Sequence, residues 1–250
     1  MLTRRKVNED NVSDDGHYYI SISDLMTSLL FIFILILSYV MLSFVKKEDE
    51  LSQKISKIKQ NVKYRGELLQ SLQKELKDEN ISVKIDKENG NMRLKSDVLF
   101  KQGSATISMK GKQKIGEIAQ LLIVNMVKLK YKMAIDTIFI EGHTDGVPIR
   151  VSNKCRSQWS NKELSSQRAI NTYSQMSLAT NNKINDLRNK KDKPLFSYSG
   201  YADSRQLCNE QEKQLNGATP EEMKLCRSKN RRIEFYFTVN TPNIKKIVEH

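Results

Sequence analysis

The pattern of apolar and polar positions divides the chain into three stretches. From Ile20 to Val45 nearly every position is apolar, and beyond it the chain is polar and charged with only short apolar runs. Leu25 to Val45 contains no glycine, proline or charged residue. As a helix these ~21 residues span about 30 Å, the hydrocarbon thickness of a bilayer. A cleavable signal peptide is the competing reading, but the apolar core is too long and no small-residue cleavage pattern follows it. The pattern therefore predicts one permanent transmembrane helix over 20–45, after a short tail of mixed charge over 1–19. Arg4, Arg5 and Lys6 precede the span and Lys46 and Lys47 follow it, a weak vote for a cytoplasmic N-terminus.

The second stretch, 46–80, is rich in Lys, Glu, Gln and Leu. Leu51, Ile55, Ile58, Val62, Arg65, Leu69, Leu72 and Leu76 are spaced alternately four and three apart, a heptad seam over about four repeats. Arg65 is the misfit, and Gly66 beside it weakens the helix locally. One apolar seam needs a partner, so the stretch reads as the stalk of a parallel homodimer reaching about 45 Å. The alternative is an amphipathic helix packed on its own domain.

The third stretch, 81–240, mixes two periods. Ile81, Val83 and Ile85 alternate with polar residues, Asn89-Gly90 is a hairpin turn signal, and a second strand follows at Asn91–Lys95. Ile115, Ile118, Ala119, Leu122, Met126 and Leu129 mark one face of a long helix. Thr137–Glu141 and Leu195–Tyr198 read as short strands, and the strict alternation of Ile233, Phe235, Phe237 and Val239 reads as a half-buried one. A helix is predicted over 161–178, opened by the capping box of Ser160 and Glu163. Strands interleaved with two main helices give an α+β class, an α/β sandwich. Residues 241–250 are left as a tail.

The net charge of +13 raises nucleic acid as a partner. The lysines, however, are scattered among acids without the aromatic interleaving of a nucleic-acid module, so none is expected. Of the three cysteines, Cys208 and Cys226 flank a polar stretch and could close it as a disulfide in an oxidising compartment, leaving Cys155 unpaired. There is no CxxC and no Cys/His cluster, so neither a metal nor a cofactor is expected.

Two constellations carry chemistry. Asp24 lies at the start of the apolar run, where an ionised, unpaired carboxylate is costly. It can serve as an ion carrier if it faces a partner's polar cavity, and Thr27 and Ser28 add hydroxyls one turn on. Alternatively it caps a helix at the headgroup level, with Ser21 and Ser23 nearby. The second constellation is Glu141-Gly-His-Thr-Asp145-Gly-Val-Pro148, followed by Glu163-Leu-Ser-Ser-Gln-Arg168. Gly142 and Gly146 are expected to let the backbone turn and present Asp145. A carboxylate and a guanidinium together suit a zwitterion, Asp145 taking an ammonium and Arg168 a carboxylate. A structural Asp145–Arg168 ion pair is the alternative. No nucleophile–base pair accompanies His143, so no enzyme is expected.

At these residues the chain resembles known families. Val98-Leu-Phe-x-x-Gly-Ser-Ala105, Glu141-Gly-His-Thr-Asp145, Leu164-Ser-x-x-Arg168-Ala and Asn230-Arg-Arg-Ile233 resemble, in order, the motifs of the OmpA-like peptidoglycan-binding domain. The resemblance implies that Asp145 and Arg168 grip the diaminopimelate of the stem peptide. It also implies that Thr144 and Leu164 line the same site, with Asn230 and Arg231 supporting it. The stretch Pro148–Ser160, with Trp159, is similar to that of MotB, the flagellar stator protein. Ile22-Ser-Asp24-Leu-Met-Thr27 resembles the entry of the MotB span, which implies ion transport, H⁺ or Na⁺, through Asp24. The absence of a longer basic tail and the continuous heptad stretch depart from MotB. Tyr18–Ser28 is most similar to the ZorB subunits of Zorya antiphage systems. These resemblances imply a homodimer inside a ring of a MotA-like (ZorA-like) partner, in the bacterial inner membrane, with the C-terminal domain periplasmic. A flagellar stator subunit and a passive membrane-to-wall tether are the alternatives.

Overall fold

The computed structural model describes residues 14–101, 103–148 and 160–242, with side chains from residue 22 onward. The expectations for Cys155, for Trp159 and for most of both tails lie outside them. Helix α1 runs from Asp14 to Asp78. Between Ile22 and Val45 its apolar side chains, among them Leu25, Phe31 and Phe33, are exposed. By length and composition this helix can cross a membrane.

A second compact unit extends from Ser56 to Asn243. Its sheet contains β1 (Lys84–Asp86), β2 (Asn91–Lys95), β3 (Ile135–His143), β4 (Phe196–Ala202) and β5 (Arg232–Val239), in the order β1-β2-β5-β3-β4. All neighbours are antiparallel except β3 and β4, which α5 (Asn161–Ala179) joins as a parallel crossover. The short α2 (Ser96–Leu99) follows β2, and α3 (Met109–Met126) and α4 (Leu129–Ala134) precede β3. A 3₁₀ turn at Lys183–Asp186 follows α5, and α6 (Glu210–Leu215) and α7 (Pro220–Asn230) precede β5.

The period-2 pattern decides which face is buried. Met92, Leu94, Ile138, Ile140, Ile233, Phe235 and Phe237 point to one face and form a core with Ile115, Ile118 and Leu122 of α3 and with Ala169 and Met176 of α5. The opposite face carries Arg93, Glu141, His143, Arg232 and Glu234. Helix α5 lies directly on the sheet backbone. A Cβ at Gly142 would overlap the Ser165 carbonyl, and one at Gly200 would overlap the Ser166 backbone. Neither Gly142 nor Gly146 has a positive φ, so Gly142 serves this close approach and not the expected turn.

The second half of the predicted stalk belongs to this domain. Leu68, Leu69, Leu72 and Leu76 are fully buried in the core, whereas Leu51 and Ile55 are each 44% exposed. The alternative of a helix packed on its own domain thus holds from Arg65 on, and the domain begins well before residue 81. Arg65 fits this site because its guanidinium donates to the carbonyls of Phe237 (3.3 Å), Lys87 (3.4 Å) and Glu88 (2.5 Å), closing the hairpin over the helix.

The hairpin, the 91–95 strand and the helix at 161 follow the sequence expectations, and the Ser160–Glu163 capping box forms in both directions. Several elements differ from these expectations. The first strand narrows to 84–86 because Ile81 N still bonds Leu76 O, completing the end of α1. The long helix stops at Met126, and Leu129 opens α4 at 73% exposure. Helices α6 and α7 occupy the polar stretch around Cys208 and Cys226, for which no element is predicted from sequence.

Leu72→Ala should cost the sheet domain about 2–5 kcal/mol, the range for a buried leucine, whereas Leu51→Ala should leave its stability unchanged. Urea unfolding of the full chain, followed by circular dichroism, checks this. Equal effects would restore the free-standing stalk.

Candidate ligand-binding site

The parallel pair β3–β4 fixes the site, because β3 ends where α5 begins to cover it. A cleft of about 1200 Å³ opens at the C-terminal end of β3. Its lining includes Thr144, Asp145, Leu164, Arg168 and Arg231, all expected from sequence. It also includes Asp97 and Phe100 from the α2 segment and Lys224 and Arg227 from α7, which sequence reading missed.

Arg168 projects from the second turn of α5 and is 2% exposed. Its Nε donates to Ser104 O (2.9 Å) and its Nη2 to Lys101 O (3.4 Å), while its guanidinium lies 5.2 Å from the Phe100 ring centroid. No carboxylate among the described residues is paired with it. Burial lowers its pKa to about 10, against the pull of Asp97 and Asp145. A desolvated guanidinium held by two neutral carbonyls favours an incoming anion.

Asp145 is not the partner of Arg168. Its Oδ2 accepts from Arg231 Nη1 at 2.7 Å, and Arg231 also grips Asp97 through Nε (3.1 Å) and Nη2 (2.9 Å). The Asp97 hydrogen bond is the main cause that raises the Arg231 pKa. The structural ion pair considered from sequence therefore exists, but with Arg231 in the place of Arg168. This leaves one buried cation, Arg168, beside a carboxylate–guanidinium–carboxylate bridge, so a ligand with both signs of charge can engage both. Thr144 is 3% exposed, and its Oγ1 is buried with no hydrogen-bond partner among the described residues. Leu164 supplies an apolar wall.

Asn230 does not face the cleft. It is fully buried, accepting from Leu207 N (2.9 Å) and Cys208 N (3.0 Å) and donating to Cys208 O (2.8 Å) and Glu210 Oε1 (2.9 Å). All its donors and acceptors are used in pinning the loop before α6, so it supports the site from behind. Cys208 and Cys226 are joined as a disulfide, with Cα atoms 5.4 Å apart, tying α6 to α7. The signals for these helices were present: Thr219-Pro220 with Glu222 is a capping box with proline at the first helical position.

His143 lies behind the site, 1% exposed and stacked on Tyr201. Its Nε2 is 3.5 Å from Glu141 and 3.8 Å from Glu234, close enough for charge attraction but without hydrogen-bond geometry. Burial lowers its pKa and dominates the upward pull of these carboxylates.

In α1, Asp24 is exposed and lies inside the helix, which begins at Asp14, so it is not an N-cap. The Thr27 hydroxyl donates to Ser23 O (2.7 Å) and is thus turned onto the helix backbone, and Ser28 is exposed one turn beyond Asp24.

The chain is 30% identical over 154 residues to Motility protein B of Bacillus subtilis (strain 168), a match covering 62% of this chain and 47% of that protein. The chain thus spans about half the length of this curated relative. Its fold is similar to the crystal structure of a MotB like protein from Desulfovibrio vulgaris, with a TM-score of 0.50 and 18% identity, covering 75% of this chain and 98% of that one. The periplasmic domain of Helicobacter pylori MotB aligns with a TM-score of 0.43 and 23% identity, over 63% of this chain and 81% of that one. No family model matches the chain. The sheet domain thus shares the α+β fold of that MotB like protein from Desulfovibrio vulgaris.

Below its ordinary pKa of 6.5, His143 takes up a proton in the unfolded chain that the folded chain refuses. Stability is therefore full above pH 6.5 and falls as pH drops from there toward the lower folded value. His143→Asn should flatten this loss relative to the parent. Urea midpoints measured between about pH 7.5 and about pH 5 check this, and identical slopes would show that His143 does not titrate as described.

Proposed function

We propose that this chain is a single-pass inner-membrane protein that grips peptidoglycan through the cleft and carries an ion at Asp24, as the MotB-like subunit of an ion-driven motor. The observation that carries the reading is the pairing of two features in one chain. One is a buried Arg168 without a carboxylate partner among the described residues, beside Asp145, and the other is an apolar helix with Asp24 in its first exposed turns.

The chemistry supports diaminopimelate as ligand. Its free end carries an ammonium and a carboxylate on one carbon. The carboxylate would meet Arg168, and the ammonium would meet Asp145 and Asp97, whose bridge through Arg231 leaves acceptor lone pairs free. Peptidoglycan lies outside the inner membrane, so this ligand sets the sheet domain in the periplasm and the N-terminus in the cytoplasm. Two copies would place two Asp24 carboxylates within a ring of a MotA-like partner, where H⁺ or Na⁺ passing through them drives the ring around a wall-fixed dimer. The similarity of Tyr18–Ser28 to ZorB favours the antiphage defence form of this motor. The match to Motility protein B favours the flagellar form, and loss of swimming on deletion distinguishes it from loss of phage protection.

Arg168→Ala should weaken binding of the full chain to purified sacculi by about 30-fold or more, because truncating a buried charge partner costs ~2 kcal/mol or more. Co-sedimentation in detergent measures this. Asp24→Asn should leave sedimentation intact and abolish phage protection or motility at equal expression. Retained activity in Asp24→Asn would leave only a passive tether.

A further inference from the structure

We infer that Glu210 is a positioning residue for Asp145, and that the Cys208–Cys226 disulfide holds Glu210 in place. The inference rests on the reading of the cleft as the ligand site.

Glu210 opens α6, is 7% exposed, and lies outside the cleft lining. A buried carboxylate is costly unless its oxygens are occupied. Its Oε1 accepts from Gly146 N (3.0 Å) and from Asn230 Nδ2 (2.9 Å), and its Oε2 accepts from Arg227 Nε (3.3 Å). Gly146 follows Asp145, and Asn230 precedes Arg231. The Asp145–Arg231 hydrogen bond completes a closed ring of Asp145, Gly146, Glu210, Asn230 and Arg231. Both residues of the ion pair at the cleft are thus fixed from behind through one carboxylate. On its other side the Asp145 loop is held by Asn161 Nδ2, which donates to Asp145 O (3.2 Å) and Val147 O (3.1 Å).

The disulfide acts on the same group. Cys208 lies two residues before Glu210 and bonds Asn230 through both its N and its O. Cys226 immediately precedes Arg227, the cleft-lining partner of Glu210 Oε2. The cross-link therefore fixes both ends of the Glu210–Arg227 pair. With the cysteines reduced, α6 and α7 remain joined only by weaker contacts, and the Gly146 N–H loses a fixed acceptor.

Glu210→Gln keeps the shape but turns one acceptor into an NH₂ group facing the N–H of Gly146, the amide of Asn230 or the guanidinium of Arg227. The test uses the full chain in detergent, with the tripeptide L-Ala-γ-D-Glu-meso-diaminopimelate as probe, titrated calorimetrically. Amide hydrogen exchange over 141–148 and over β5 is followed by mass spectrometry. Glu210→Gln should weaken the tripeptide about tenfold or more and speed exchange at 144–148, with the protection of β5 unchanged. A merely structural Glu210 would lower the thermal midpoint and leave the affinity of the folded protein as it is, which would overturn the proposal. Reducing the parent protein should produce the same local exchange and the same loss of affinity. If Glu210→Gln fails to fold, this reduction arm decides, and unchanged exchange at 144–148 overturns the proposal. A parent that does not bind the tripeptide refutes the peptidoglycan reading, while the exchange data still decide whether Glu210 and the disulfide fix the Asp145 loop.

Discussion

The close approach of α5 to the sheet is the constraint on which the site depends. Gly142 and Gly200 face the Ser165–Ser166 backbone, so the helix sits nearer β3 and β4 than any side chain would allow. Arg168, one turn further along α5, is thereby carried to the end of β3, where Asp145 emerges. The Ser165 hydroxyl strengthens this seam by accepting from Ala202 N at 3.0 Å. An alanine at either glycine would displace the helix, and with it the cation, while leaving most of the hydrophobic core intact.

The charges of the site are then divided by burial. Arg231 is partly exposed and carries two carboxylates, so its positive charge is more than matched. Arg168 is more deeply buried, and among the described residues its hydrogen bonds go to carbonyl oxygens, which do not neutralise it. Two arginines of the same chemical type thus take different parts, one organising the acidic residues and one left to attract an anion.

Much of this was legible in the sequence. The apolar run, the hairpin at Asn89-Gly90, the capping box at Ser160 and the alternation of 233–239 each report a local rule, and each element formed. The heptad seam misled because the spacing that suits a partner helix also suits a helix packed on a sheet; Arg65 was the clue, since its bonds go to its own domain's carbonyls. The residues Asp145, Arg168 and Arg231 were legible as a set, but their pairing was not. Which carboxylate meets which guanidinium depends on Asp97, far away in sequence, and on the depth of α5 against the sheet. Asn230 was legible as a supporting residue, but its target, the loop before α6, was not, because motif proximity does not reveal side-chain direction.

The fate of Arg65 also limits what two copies of this chain can do with each other. From that residue onward the apolar seam is committed to its own core, so inter-chain zipping can use only Leu51, Ile55, Ile58 and Val62. That is about two heptads, short of the three or four that a self-sufficient coiled coil requires. Any pairing of two copies along this segment therefore rests on a short seam, and it can be opened without disturbing either folded domain.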